Sequence, residues 1–206
     1  MASSSPVQTA KRRGRPAQAR DRIMRTAYDL FLKNGIRATG IDAIIVGADV
    51  ARMTFYRNFG AKDDLVLAFL DEHGRRWTDE WLKREVLRRH AEPRERLLGM
   101  FDLHHEWFQQ RRFKGCPFIK TLLETGHSPK IRLAAARHMA DVRQFIEGFV
   151  KETGLKGASE LAANWHMLLK GAIVAASQGN RDAARTARQA AAVLLAYWDR
   201  RGLRAS

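Results

Sequence analysis

Among the side chains able to carry proton, metal or nucleophile chemistry, cysteine and histidine are few and scattered in this 206-residue sequence: one cysteine, Cys116, and seven histidines. His104 and His105 are adjacent, which points them about 100° apart on a helix. The sequence contains no HExxH, CxxC, phosphate-binding glycine loop or GxSxG. No metal site and no cofactor is expected, and the chain is read as a non-enzyme. The stronger signal in the sequence is positive charge. Lys+Arg number 37 against 22 Asp+Glu, a formal charge of +15 that favours a polyanionic partner, either nucleic acid or an anionic membrane surface. The set with a readable geometry is Thr39, Arg52, Met53, Thr54, Tyr56, Arg57 and Lys62, within TGIDAIIVGADVARMTFYRNFGAK. Arg52, Thr54 and Arg57, with Met53 among them, suit base edges or their surroundings in a major groove. Thr39, Tyr56 and Lys62 suit phosphate oxygens, which fix register without reading sequence.

Two short helices and a tight turn must position these groups. Thr39 with Asp42 three residues on makes a capping-box-like start, and Ile41, Ile44, Ile45 and Ala48 follow at helical spacing. Asp49 stands at the bend, where a short polar side chain tolerates the left-handed conformation. Val50 plugs the angle, and a second helix from Ala51 to about Tyr56 sits over buried Phe55 and Phe59. An earlier helix, Asp21 to Asn34, places Ile23, Ala27, Leu30 and Phe31 on one face and stops at Asn34-Gly35. It completes a three-helix module, with Arg22 and Arg25 off the packed face as DNA-backbone contacts or plain solvated charges. Lys62 opens the next helix ahead of Asp63 and Asp64. The carboxylates suit the helix dipole and the lysine does not, unless Lys62 and the free N–H groups together hold an anion such as a DNA phosphate. A long stem lying over apolar surface is the other reading.

This stretch resembles the DNA-binding core of the TetR family of bacterial repressors. The matching residues are Thr39, Ile41, Ile44, Ala48, Val50, Thr54, Tyr56, Phe59, Lys62 and Leu65, in order and without a gap. The chain departs from the family's usual run at Asp49 (glycine), Ala51 (a capping serine), Phe55 (leucine) and Gly60-Ala61 (Pro-Ser). Ala51 and Ala61 are poor N-caps, so both helix starts are expected to fray. The resemblance implies an all-α protein: an N-terminal three-helix DNA-binding module with a helix-turn-helix, then a C-terminal helical ligand-binding and dimerisation domain. It also implies a phosphate contact for Lys62.

The flanks are read from composition. Residues 1–20 are polar, carry five basic residues and no acidic one, and are expected to form a disordered basic arm. Within it Arg13-Gly14-Arg15-Pro16 matches the core of an AT-hook, whose extended arginines lie in a narrow A·T-rich minor groove; a tail touching phosphates without preference is the plainer reading. Residues 21–66 form the DNA-binding domain and residues 67–206 the body. A single cysteine fits a reducing compartment. No apolar run is long enough to span a bilayer, and no signal peptide is seen. A cytoplasmic protein without a membrane partner is expected.

In the body, the helix from Lys62 is expected to run well past Trp77 and to link the module to the rest. A near-continuously apolar helix follows from Arg94 to about Gln110, carrying His104, His105, Trp107 and Phe108. Gly115 and Pro117 then start a short helix that Gly126 and Pro129 end. Many TetR-type regulators show a similar Gly-Cys, apolar run and glutamate at the helix bordering a ligand cavity. That similarity places Cys116, Phe118, Ile119, Leu122 and Glu124 as cavity candidates. Trp107, Phe108, Phe118, Trp165 and Met167 would make such a cavity apolar and aromatic, with Glu124, His104 or His166 orienting a small-molecule effector. Each of these polar residues is equally a satisfied core residue, and Cys116 is either a redox sensor or a small buried side chain. The last two helices are alanine-rich, with Ala183, Ala187, Ala190, Ala191, Leu194 and Trp198 on one stripe. They pack on each other or, as the resemblance implies, join a symmetry mate in a homodimer. The resulting expectation is a ligand-responsive regulator, a repressor leaving a palindromic operator in double-stranded DNA when a small, largely apolar or aromatic molecule binds. The alternatives are a DNA-architectural protein without an effector and a helical small-molecule binder with a vestigial DNA module.

Overall fold

The computed structural model describes residues 11–124 and 126–203, and among them every regular element is a helix. The backbone contacts divide the chain into two units, Met1–Asp71 and Glu72–Ser206. No helix among the described residues is long and apolar enough to cross a membrane.

The first unit holds α1 (Lys11–Asn34), α2 (Ile41–Ala48), α3 (Arg52–Asn58) and most of α4 (Lys62–Gly74). Ile23, Ala27 and Phe31 of α1 meet Ile44, Ala48, Phe55, Phe59, Leu65 and Phe69 in a core whose members are almost wholly buried. Phe69 takes Tyr28 and Phe31 edge-on, at ring distances of 5.4 and 5.1 Å. Close approach of α1 and α2 depends on Gly47, where a Cβ would meet Thr26 Cγ2 at 2.8 Å. The helix start expected at Asp21 lies ten residues further on than the observed start at Lys11. The cause is packing: Ala19 is buried and the Arg20 guanidinium sits 4.5 Å from the centre of the Phe59 ring, so this segment belongs to the module. The end of the basic arm expected over residues 1–20 thus packs with the module at Ala19 and Arg20, and residues 1–10 lie outside the described residues. The backbone of Arg13-Gly14-Arg15-Pro16 is helical, whereas an AT-hook needs it extended; the side chains of Arg13 and Arg15 lie outside the described residues.

The second unit begins with a π-helical stretch, Arg75–Lys83, and α5 (Arg84–Arg89), which continue the helix of α4 to Arg89. Then come α6 (Pro93–Gln109), α7 (Pro117–Leu123), α8 (Pro129–Glu152), α9 (Ala158–Ser177) and α10 (Ala183–Leu203). Proline occupies the first turn of α6, α7 and α8, where its missing N–H costs nothing. The core is centred on Trp165, fully buried, whose Nε1–H donates to the Leu97 carbonyl at 3.2 Å while its ring lies 5.5 Å from Phe101. Arg94 of α6 grips Asp199 of α10 with two hydrogen bonds of 2.5 and 2.6 Å.

The alanine stripe is used inside the chain's own core. Ala183, Ala187, Ala191 and Trp198 are buried in the core against α6 and α9, while Ala190 is exposed and Leu194 half-buried. What α9 and α10 leave outward is a different set, Met167, Val174, Val193 (69% exposed) and Tyr197. Met167, expected in the cavity, is thus a surface residue.

Candidate nucleic-acid interface and a histidine-lined cavity

The bend between α2 and α3 is made at Asp49, with φ +50° and ψ 59°. It is the only non-glycine residue with positive φ among the described residues. Asp49 N–H donates to Val46 O at 3.2 Å and Val50 N–H to Ile45 O at 3.3 Å, closing the end of α2. Ala51 is extended and gives α3 no side-chain cap; its carbonyl accepts from Thr54 and Phe55 N–H at 2.8 and 3.1 Å. Ala61 N–H, by contrast, is capped by Asp64 Oδ2 at 3.1 Å, so the start of α4 is better satisfied than its residue type suggests.

Burial of Phe55 turns the other side of α3 to solvent. Arg52, Tyr56 and Arg57 are exposed, Met53 is 72% exposed, and Val46 of α2 is 79% exposed. Arg52 Nη2 lies 2.5 Å from Asp42 Oδ1, an exposed pair bridging α2 and α3. Thr54 is half-buried, and with Arg57 and Asn58 it lines a polar groove shared with Gln18, Asp21, Arg22 and Arg25 of α1. Three guanidiniums and one carboxylate thus line one concave surface, on which Arg22 and Arg25, from α1, suit a phosphate backbone. Sequence reading had Arg22 and Arg25 as solvated or DNA-facing; Asn58 and Gln18 carried no signal beyond being polar. Lys62 is half-buried and its Nζ reaches the Arg37 carbonyl at 3.5 Å. Burial, with Arg37 nearby, holds its ammonium below the usual lysine range, against the opposing effect of Asp63.

Thr39 is a correction. It is 1% exposed, and its hydroxyl donates to the carbonyls of Gly35 at 2.8 Å and Leu30 at 3.3 Å. With its one proton committed inward it clasps the end of α1, and neither caps α2, whose N-cap is Gly40, nor faces a phosphate.

The body holds a cavity walled by aromatic and aliphatic side chains, with Trp77, Trp107, Phe118 and Val142 among them. Its polar lining consists of His73, His104, His138, His166, Cys116 and Lys170. His104, Trp107, Phe118 and His166 therefore lie where expected. Phe108 and Trp165 are core residues behind the wall, Leu122 is outside it, and Glu124 ends α7 with Oε2 2.9 Å from His127 Nε2. Missed from the sequence were His73, Trp77, His138 and Lys170. A signal for two of them existed: His73 follows Phe69 and Leu70, and His138 falls between Ala135 and Val142, both at apolar-stripe positions.

Burial holds all four imidazoles near pKa 4. His104 is fully enclosed, and its Nδ1–H donates to Met100 O at 2.6 Å, a bond that opposes the effect without cancelling it. For His73 the next causes are His138 and Arg76, and for His166 they are Lys170, Arg143 and His138. His138 has Lys83 acting with burial, and Asp141 and Asp79 against it. Cys116 is at the N-cap of α7, yet burial pushes its thiol up to about 11. The thiolate needed for redox sensing is scarce at neutral pH.

Residues 23–69 match the family described as "Bacterial regulatory proteins, tetR family". Over 67 residues the chain is 30% identical to the HTH-type transcriptional regulator QacR of Staphylococcus aureus (strain Mu50 / ATCC 700699), covering 32% of this chain and 36% of QacR. The match thus spans about a third of that relative's length. The fold extends further. SCO4454, a TetR-family transcriptional regulator from Streptomyces coelicolor, aligns with a TM-score of 0.74 at 24% identity, over 87% of this chain and 95% of that one. A cysteine mutant of the TetR-family regulator CifR, solved with 26-base-pair operator DNA, aligns with a TM-score of 0.69 at 20% identity over 84% and 94%. At these identities the two structures establish the fold alone.

The enclosed imidazoles have a stability consequence. Unfolded, His104 titrates near 6.5; folded, near 4. Below pH 6.5 the unfolded chain takes up a proton that the folded chain refuses, so stability is full above pH 6.5 and falls as pH drops towards 4. Between pH 7 and 5 His104 alone contributes a loss of about 2 kcal/mol. Urea unfolding at the two pH values should show the wild type losing about that much more than His104→Phe; equal losses would mean that His104 exchanges protons freely with solvent.

Proposed function

The chain belongs to the TetR family of bacterial regulatory proteins, and on that premise we propose that it is a dimeric, cytoplasmic repressor, released from a pseudo-palindromic operator by a small, largely apolar or aromatic molecule. The observation that carries the DNA half is the solvent-facing side of α3, with Arg52, Met53, Tyr56 and Arg57 exposed at the end of a helix-turn-helix. Arg52, Thr54 and Arg57 take base edges or their neighbourhood, Met53 a thymine methyl, and Tyr56, Lys62, Arg22 and Arg25 phosphates. Arg52 must first leave Asp42. An exposed ion pair is worth at most about 1 kcal/mol, and a bidentate arginine–guanine contact discriminates by about 1–3 kcal/mol, so the exchange favours DNA. Arg13 and Arg15 remain candidates for added backbone contact.

The cavity supports the effector half. It offers about 30 Å³ to the centres of water-sized molecules, far short of the roughly 150 Å³ that takes a benzene. An aromatic guest must therefore spread the walls, and so binds a different conformation from the resting one, which is the condition for a ligand to shift an equilibrium. The wall formed by α7 is the natural one to part: it is seven residues long, with Gly115 and Gly126 flanking it at φ +82° and +85°. For the dimer, the outward Met167, Val174, Val193 and Tyr197 are the apolar surface that a second copy would cover.

Selection of bound sequences from random DNA should enrich two half-sites related by a two-fold axis, about one helical turn apart; enrichment of unsymmetrical A·T-rich sequence, or none, would contradict the proposal. On the selected site Arg52→Ala should relax preference at particular base pairs, whereas Lys62→Ala should weaken all sequences and lower the salt slope by about one. Uniform weakening by Arg52→Ala would make it a phosphate contact. Val193→Arg should sediment as a monomer and lose operator affinity, since it sets an unpaired charge in an apolar contact. An intact dimer would place the interface elsewhere.

A further inference from the structure

The cavity wall has a polarity of one kind. It carries four imidazoles and the Lys170 ammonium, and no aspartate or glutamate. His138 is central among them, acting on both His73 and His166. Its ring stacks on Phe118, with centroids 3.6 Å apart and planes 12° from parallel, and its Nε2 lies 3.4 Å from Thr78 Oγ1. Gly74 makes room for that ring, because a Cβ there would meet His138 Nδ1 at 2.8 Å. An independent observation comes from Trp77 in the same wall. Its Nε1–H is buried without an acceptor, and an indole nitrogen can only donate. A metal does not account for the cluster, since no three His, Cys, Asp or Glu among the described residues are placed to hold one. Donors and bases without acids, set among aromatic rings, are the complement of a flat apolar body bearing an anionic acceptor.

We propose that the cavity receives a small aromatic carboxylic acid, its ring against the aromatic wall and its carboxylate towards His138 and His166. The proposal names the class of the effector inferred above and rests on that reading. Proton uptake follows from it. Burial keeps the imidazoles neutral in the empty protein, and a carboxylate beside one of them favours its charged form. The groups facing His138 are His73 and His166, Asp141 on its own helix, and Asp79 and Lys83 on the π-helical stretch; those facing His166 are Lys170, Arg143 and His138. The two aspartates assist protonation and the cations oppose it. The proton comes from water, so the bound pair is neutral overall. An acid already ionised in solution then binds more tightly as pH falls, by up to tenfold per pH unit for each proton taken up.

The test is calorimetric titration of the full chain with benzoate and 1-naphthoate, and with benzamide and 1-naphthamide as uncharged isosteres. Titrations run at pH 8 and 6, in two buffers of different protonation enthalpy. The expected result is that at least one acid binds about tenfold or more tighter than its own amide at pH 6. That acid should gain about tenfold or more from pH 8 to 6, with uptake approaching one proton. His138→Gln, which hydrogen-bonds but takes no proton in this range, should reduce both the uptake and the pH gain; the wild-type buffer comparison stands without it. Acids no tighter than amides, tighter binding without proton uptake, or no binding by any of the four would each overturn the proposal. If the amides bind and release operator, the acid class falls and the effector reading stands. If no symmetric operator is selected, the effector reading falls whatever the calorimetry shows.

Discussion

Asp49 holds its backbone in the left-handed region, and the direction of α3 follows from that one residue. A non-glycine residue there costs up to 1–2 kcal/mol, less for a short polar side chain. The cost is offset because the turn closes α2 with two backbone hydrogen bonds and lets Phe55 and Phe59 reach the core that α1, α2 and α4 share. Burying two phenylalanines is worth several kcal/mol, so the core holds the turn and the turn aims the helix. Every exposed side chain of α3 inherits its position from this arrangement, as does the Asp42–Arg52 pair that spans the two helices. The clasp of Thr39 on the Leu30 and Gly35 carbonyls serves the same end, fixing where α2 begins.

In the body a different constraint governs. Imidazoles at apolar-stripe positions are enclosed with few partners, and desolvation rather than any single neighbour sets their charge. The cavity between them is too narrow for an aromatic guest. In that wall the Trp77 indole N–H is buried without an acceptor, and under the proposed function a guest that accepted from it would be rewarded for spreading the walls. Trp77 and Thr78 stand on the π-helical stretch, a rare conformation that is found frequently at functional sites.

Much of this was legible in the sequence. The helix-turn-helix announced itself through residue types with a local mechanism: Asp49 for a left-handed bend, Phe55 and Phe59 for the core. Three helices of the body, α6, α7 and α8, were marked by Pro93, Pro117 and Pro129 at their starts. Three features were not readable, each for a physical reason. Thr39 looks like a cap because capping is a local pattern, but its hydroxyl turns backwards to carbonyls nine and four residues earlier. The basic composition of residues 11–20 suggested an arm, but burial of Ala19 and the stacking of Arg20 on Phe59 join the segment to α1. The alanine stripe of α10 showed that a helix packs closely there, and periodicity carries no label for the partner. The structure buries Ala187 and Ala191 in the chain's own core and leaves Val193 and Tyr197 outside.

In the proposed regulator, occupancy of the cavity and occupancy of the operator are linked. Linkage is reciprocal for binding free energies. The direct measurement takes a molecule that binds the cavity and determines its affinity for the free protein and for the protein saturated with its operator. It then determines operator affinity with and without that molecule. The result expected is that operator weakens the molecule's binding by the same factor by which the molecule weakens operator binding. A molecule held equally well in both states would bind the cavity without acting as an inducer, and would contradict the account.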